Sequence, residues 1–179
     1  MYYYDTYHSP VGKLTVASDV KNIVGLWPDG QKYYIDVLEG KAYQEKETEA
    51  IKLAKNWLDR YFNGEKPEIK ELPIEFIGRD FRIQVWKILS EIPYGKVITY
   101  GDIAKQIAAQ KGTPKMSAQA VGGAVGRNPI SIIVPCHRVV GADGNLTGYS
   151  GGVCTKIKLL EFEGVDYSTL YTPKKGTAL

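Results

Sequence analysis

The stretch IVPCHRVVG places Cys136 beside His137, one of two cysteines next to one of two histidines in 179 residues. A thiol near an imidazole is the raw material of nucleophilic catalysis, provided the sulfur can be ionised. A free cysteine titrates near 8.5, so only about 3% is thiolate at pH 7. Bringing it to about 5.5 needs roughly 4 kcal/mol of differential stabilisation. Side chains at adjacent positions diverge, so Cys136 and His137 can cooperate only across a turn, which Pro135 favours, or through a bridging water. The imidazole in turn needs an orienting carboxylate. Of the downstream acids Asp143, Glu161, Glu163 and Asp166, Glu163 stands in the most apolar setting, beside Phe162. The competing reading is a small buried thiol with a histidine satisfying a backbone carbonyl, the commoner outcome for an arbitrary Cys-His pair. Cys154, between Val153 and Thr155, and His8 are read in that structural way.

These residues need elements to position them. GKLTVAS and IVGLWP read as paired strands joined at DVKN, and QKYYIDVLEG is either a third strand or a loop. A helix is expected across YQEKETEAIKLAKNWLDRYFNG, with Ala50, Ala54, Trp57, Leu58, Tyr61 and Phe62 on its apolar face. GEKPEIKELPIEFIG, with two prolines, suits a crossing segment. DFRIQVWKILSEIP is expected to be helical with Asp80 as N-cap and Phe81, Val85, Trp86, Leu89 and Ile92 facing inward. Thr99 can cap YGDIAKQIAAQ and Ser117 can cap AQAVGGAVGRN, the outline of a helix-turn-helix. VVGADGNLTGYSGG suggests a hairpin turning at Asp143-Gly144. TKIKLLEFEG ends the series at Gly164, with Ile157, Leu159 and Leu160 as apolar positions, and the tail YTPKKGTAL is expected to be mobile.

The helix AVGGAVG is odd, because each interior glycine costs about 1 kcal/mol relative to alanine. It lacks the Lys-Ser/Thr ending of a phosphate loop. Two readings stay open: close packing in the core, or a bare face pressed into a groove as narrow as the DNA minor groove. The charge distribution favours a polyanionic partner for the second half. Residues 1–80 carry 11 Lys/Arg against 14 Asp/Glu, and residues 81–179 carry 12 against 6. A composition of 44% hydrophobic and 24% charged residues is ordinary for a globular chain, without the apolar run of a membrane span. The opening MYYYDTYHSP lacks signal-peptide character, and two cysteines outside any CxxC spacing predict no metal site and no disulfide framework. The expectation is a cytoplasmic protein, without membrane association.

IVPCHRVVG, preceded by AVGGAVGRNPI and PYGKVITYGDIA and followed by GYSGG and LLEFEG, closely resembles the O6-alkylguanine-DNA alkyltransferases. SPVGKLTVAS extends the likeness more loosely to the start. The resemblance implies an α/β protein: a small N-terminal domain of antiparallel sheet plus helix, ribonuclease H-like, over 1–78. A mostly helical C-terminal domain with a winged helix-turn-helix follows over 79–170, then a tail over 171–179. It implies irreversible, single-turnover transfer of an alkyl group from O6-alkylguanine in double-stranded DNA to Cys136, with O4-alkylthymine as a further candidate. His137 would act as base through a water, oriented by Glu163. Asn128 would hold the segment before the cysteine, and Tyr100 would donate to the departing guanine. The carbonyls of Cys136 and Val139 would accept from the guanine amino group, with Pro135, Tyr149 and Ser150 around the base. Ala118, Gln119, Ala120, Gly122, Gly123 and Arg127 would meet the DNA. No cofactor is implied, and a monomer is expected.

One position departs from the pattern. Many members carry arginine where this chain has Gln119, which is shorter and uncharged, so weaker DNA affinity is expected without loss of repair. A lesion sensor that does not repair would lack the cysteine. A plain helix-turn-helix regulator would not need PCHR. A cysteine hydrolase would need an oxyanion hole that the sequence does not show.

Overall fold

The computed structural model describes residues 1–34, 38–146 and 148–173. It divides into two compact units, one formed by 1–78 with 129–134 and the other by 79–128 with 135–179.

The first unit is built on a four-stranded sheet in the order β3-β2-β1-β4. Strands β1 (Tyr2–Ser9), β2 (Gly12–Ser18) and β3 (Ile23–Pro28) are antiparallel neighbours. Strand β4 (Tyr43–Glu45) pairs in parallel with β1, so the sheet is antiparallel except at that edge. Two of these strands fall outside the sequence expectations. The tyrosine-rich β1 is half buried along its length, so no apolar alternation announces it. Strand β4 occupies the front of the stretch expected to be helical, and helix α1 runs over Glu49–Phe62 only. Thr48 sets that start by accepting the Ile51 amide, a cap worth about 1 kcal/mol. Ala50, Ile51, Ala54, Trp57, Leu58 and Tyr61 make the buried face of α1. Of QKYYIDVLEG, residues 31–34 and 38–40 form turns rather than a strand, and 35–37 lie outside the described residues.

Segment 129–134 joins this sheet from far along the chain. The Leu26 amide donates to the Pro129 carbonyl and the Ser131 amide to that of Leu26, while the buried Ser131 hydroxyl meets Gln31 at 2.9 Å. Ile132 has φ of +70°, a position that a β-branched side chain rarely takes, and the Ile133 amide closes a three-residue turn on the Ser131 carbonyl at 2.8 Å.

In the second unit, helix α2 (Asp80–Ser90) starts one residue earlier than expected: Arg79 is the cap and Asp80 stands in the first turn, where a carboxylate suits the helix dipole. Val85, Trp86, Leu89 and Ile92 are buried, while Phe81 is half buried beneath Lys111. Strand β5 (Ile98–Thr99) leads into α3 (Tyr100–Lys111), capped by Thr99 in a reciprocal box with Asp102. Ser117 caps α4 (Ala118–Val125), and the Trp86 indole N–H reaches the Ala124 carbonyl at 2.9 Å, tying α2 to α4.

Strand β6 (Val139–Val140) pairs in parallel with β5, so it does not form the expected hairpin. A turn does occur over 141–144, but its outgoing arm pairs with the tail: Asn145 bridges Tyr171, and the Leu146 amide donates to the Tyr171 carbonyl. Gly144, at φ +86°, makes room for this, since a Cβ there would collide with the Thr169 carbonyl. The tail is therefore anchored at Tyr171, and 174–179 lie outside the described residues. Helix α5 (Val153–Phe162) starts two residues before the expected stretch, and Glu163 is its C-cap before Gly164 at φ +69°.

Candidate active site

Pro135 turns the chain, and Cys136–Arg138 form a single 3-10 turn that ends in β6. This geometry answers the divergence expected of adjacent side chains. His137 is directed to the end of α5, where its Nε2 lies 2.7 Å from Glu163 Oε1, and both side chains are fully buried. With Glu163 ionised, Nε2 must be the protonated nitrogen, which leaves the lone pair on Nδ1. Nδ1 is buried and has no hydrogen-bond partner among the described residues.

The carboxylate of Glu163 gathers more than the imidazole. Arg138 donates to it twice, from Nε to Oε2 at 2.8 Å and from Nη2 to Oε1 at 2.9 Å, and the Gly95 amide donates at 3.1 Å. Burial by itself would raise the Glu163 carboxyl, but the hydrogen bond from His137 and the Arg138 guanidinium hold it far below the usual carboxylate range. For His137, burial is the largest influence and lowers it. Glu163 pulls the other way, and the charges of Arg138 and Lys156 act with burial. The resting pair is thus an ionised carboxylate and a neutral imidazole.

Two further groups act on the sulfur electrostatically. Lys156, fully buried on α5, donates from Nζ to the Val139 carbonyl at 2.5 Å. Burial lowers its ammonium to about 8, and the negative charge of Cys136 opposes that fall. The attraction is mutual, so Lys156 favours the thiolate. Tyr100 opens α3, and burial first, then the Cys136 charge, push its phenol well above the ordinary value. It stays a donor, placed 3.5 Å from the Gly148 carbonyl. Cys136 itself is buried.

The other expected residues fall into three groups. Pro135, Asn128, Val139 and Tyr149 are buried. Asn128 is tied by its amide to the Val125 carbonyl at the end of α4. The carbonyls of Cys136 and Val139 each accept an internal bond, from the Val139 amide and Lys156 respectively. The Ser150 hydroxyl is buried without a hydrogen-bond partner among the described residues. On α4, Ala118, Gln119, Ala120 and Gly123 are exposed, and Arg127, two residues beyond its end, is half exposed. Gly122, expected among the DNA-facing positions, lies on the buried side of the helix with Val121, Ala124 and Val125. The eight-residue helix turns that position inward. A Cβ added at Gly123 would meet open space, so the fold itself does not require glycine there.

Cys154, expected to be a buried thiol, is exposed on the first turn of α5, and His8 is exposed on β1. Arg138 and Lys156 are the residues around the cysteine turn that the sequence reading passed over. Each is a cation inside an apolar run, a placement that usually demands a partner when buried. Among the described residues no group of histidines, cysteines and acids could hold a metal ion, and no helix is long and apolar enough to cross a membrane.

Comparison with known proteins covers nearly the whole chain. Residues 2–76 match the family model "6-O-methylguanine DNA methyltransferase, ribonuclease-like domain" and residues 80–165 match "6-O-methylguanine DNA methyltransferase, DNA binding domain". The methylated-DNA–protein-cysteine methyltransferase of Haemophilus influenzae is 39% identical over 92% of this chain and 88% of its own. That of Methanosarcina acetivorans is 42% identical over 90% of this chain and 98% of its own. Among solved structures, Mycobacterium tuberculosis OGT in complex with DNA superposes with a TM-score of 0.79 at 42% identity, covering 90% of this chain and 93% of that one.

Proposed function

Because the chain belongs to the 6-O-methylguanine DNA methyltransferase family, we propose that Cys136 is its alkyl acceptor and that His137, Glu163 and Tyr100 move the protons. The protein is a methylated-DNA–protein-cysteine methyltransferase that binds DNA and repairs O6-methylguanine. The observation that carries the residue assignment is the buried His137–Glu163 pair beside the cysteine, with Nδ1 the unprotonated nitrogen.

The partner is a duplex carrying O6-alkylguanine, met by a single copy of the protein. A base inside a duplex is out of reach of a buried thiol, so the lesion is rotated out of the stack, at a cost of a few kcal/mol that is least for a poorly paired base. The exposed small face of α4, Ala118, Ala120 and Gly123, presses against the minor groove, and Gln119 is the side chain long enough to enter the gap. The thiol proton passes through a water to His137 Nδ1. The sulfur attacks the alkyl carbon, an S–C bond forms as the C–O6 bond breaks, and the electron pair leaves on the guanine. The guanine takes a proton from Tyr100, which the proton held by His137 replaces. In total an S–H and a C–O bond give way to an S–C and an N–H bond. The thioether has no leaving group for water to displace, so each molecule acts once. A thiol acceptor must be kept reduced, which places the protein in the cytoplasm.

Intact mass after mixing with excess duplex containing one O6-methylguanine tests the assignment. The expected result is a gain of one methyl group per chain, mapped to Cys136 and absent from Cys136→Ser. Selective binding without a mass change would refute it.

A further inference from the structure

We infer that Arg138 is a positioning residue for the transfer: its guanidinium holds the Glu163 carboxylate ionised and square to His137 Nε2, leaving Nδ1 as the bare nitrogen that receives the thiol proton. The inference rests on the reading of Cys136 as the acceptor and gives a role to a residue outside that reading.

The geometry is that of a clamp. Arg138 spans both carboxylate oxygens with Nε and Nη2, and its third nitrogen, Nη1, donates to the Ile92 carbonyl at 2.5 Å. The guanidinium lies 5.6 Å from the Tyr94 ring centre, a cation–π contact on the Ile92–Gly95 turn. That same turn sends the Gly95 amide to Glu163. The fork therefore fixes the plane of the carboxylate from two elements at once, with Oε1 also facing His137 Nε2.

Charge balance explains why a clamp is needed. A buried carboxylate facing an imidazole with no other cation would draw a proton onto the pair, giving either imidazolium or carboxylic acid. Imidazolium has no lone pair at Nδ1, and a neutral acid no longer dictates which ring nitrogen is bare. Arg138 supplies the compensating positive charge through bonds that the ring does not have to make. Histidine and glutamate are then left without a shared proton until the thiol delivers one. The charged groups that act on His137 are Glu163 and Lys156 from α5 and Arg138 from its own turn; around them Tyr94, on the turn before β5, faces Glu163 and Arg138, and Tyr100, at the start of α3, faces Cys136. Of these, Arg138 touches the carboxylate as a cation, while Lys156 donates to the Val139 carbonyl.

The experiment combines single-turnover transfer rates from pH 5.5 to 9 with nitrogen NMR of His137, on the full chain and on Arg138→Met and Arg138→Lys. In the wild-type protein His137 shows a protonated Nε2 and a bare Nδ1 across this range, an observation that needs no variant to fold. In Arg138→Met the acid limb of the rate moves up into this range, so transfer falls several-fold more at pH 5.5 than at pH 8.5. Arg138→Lys keeps the charge and recovers most of the acid-side loss. A wild-type His137 that is imidazolium at pH 7, or a variant slowed equally at every pH, overturns the role. Final methyl incorporation at Cys136 is read in the same samples: its absence from the wild type would remove the parent assignment, whereas full incorporation with an unchanged pH profile would remove only this one.

Discussion

Replacing Lys156 by methionine should make the protein more stable and less active, and the sign of the stability change should depend on pH. Lys156 titrates near 10.5 in an unfolded chain and is lowered to about 8 by burial. Between those values the unfolded chain holds more protons than the folded one, so wild-type stability rises with pH there; below about 8 the full penalty of a buried ammonium is present. The difference corresponds to about 3 kcal/mol at pH 7. Methionine fills a similar volume but leaves the Val139 carbonyl without its donor, a loss of about 1–3 kcal/mol. The variant should therefore be more stable by about 1 kcal/mol at pH 7 and less stable by a similar amount at pH 10. Urea unfolding at the two pH values measures this directly. Transfer to O6-methylguanine should slow by about tenfold at pH 7, because the thiolate loses a nearby cation. An equal deficit of stability at both pH values, or an unchanged rate, would refute the view of Lys156 as a strained cation held for the sulfur.

Two predictions concern the DNA-facing helix. Gln119→Arg should tighten binding to a lesion duplex several-fold and steepen its salt dependence, read by fluorescence anisotropy at two salt concentrations; equal affinities would show that the departure at this position is neutral. Gly123→Ala should raise stability by about 0.5–1 kcal/mol, since an added Cβ meets open space, yet weaken DNA binding by thickening the bare face. Melting and anisotropy on the same variant separate the two effects.

What could be read in advance was what short-range chemistry specifies. The caps at Thr99 and Ser117 start α3 and α4 where a side-chain oxygen can take an orphan amide, and the PCHR run marked the site. Features set by distant parts of the chain stayed hidden. Strand β1 is half buried with tyrosines on both faces, so periodicity had nothing to detect. Nothing local in PISIIVP says that it pairs with β3, a hundred residues earlier. Arg138 and Lys156 defeat the prior that charged side chains are solvated, because both find their acceptors only once the turn at 92–95, the cysteine turn and α5 have come together. Gly122 differs for a geometric reason: in so short a helix, one position of rotation separates the bare face from the buried one.

The return of 129–134 to the first sheet means that the chain cannot be cut into its two halves at residue 78. A fragment ending there keeps four strands and α1 but loses the stretch that occupies the amide and carbonyl of Leu26 and carries Ile130, Ile132, Ile133 and Val134, all buried in the folded chain. At about 1.5–3 kcal/mol for each aliphatic side chain, that deficit rivals the whole stability of a small domain. Gene fusions, split reporters and surface-display variants based on this chain should therefore place their breaks at exposed turns, such as that around Gly112, and leave the path from Asn128 to Pro135 intact.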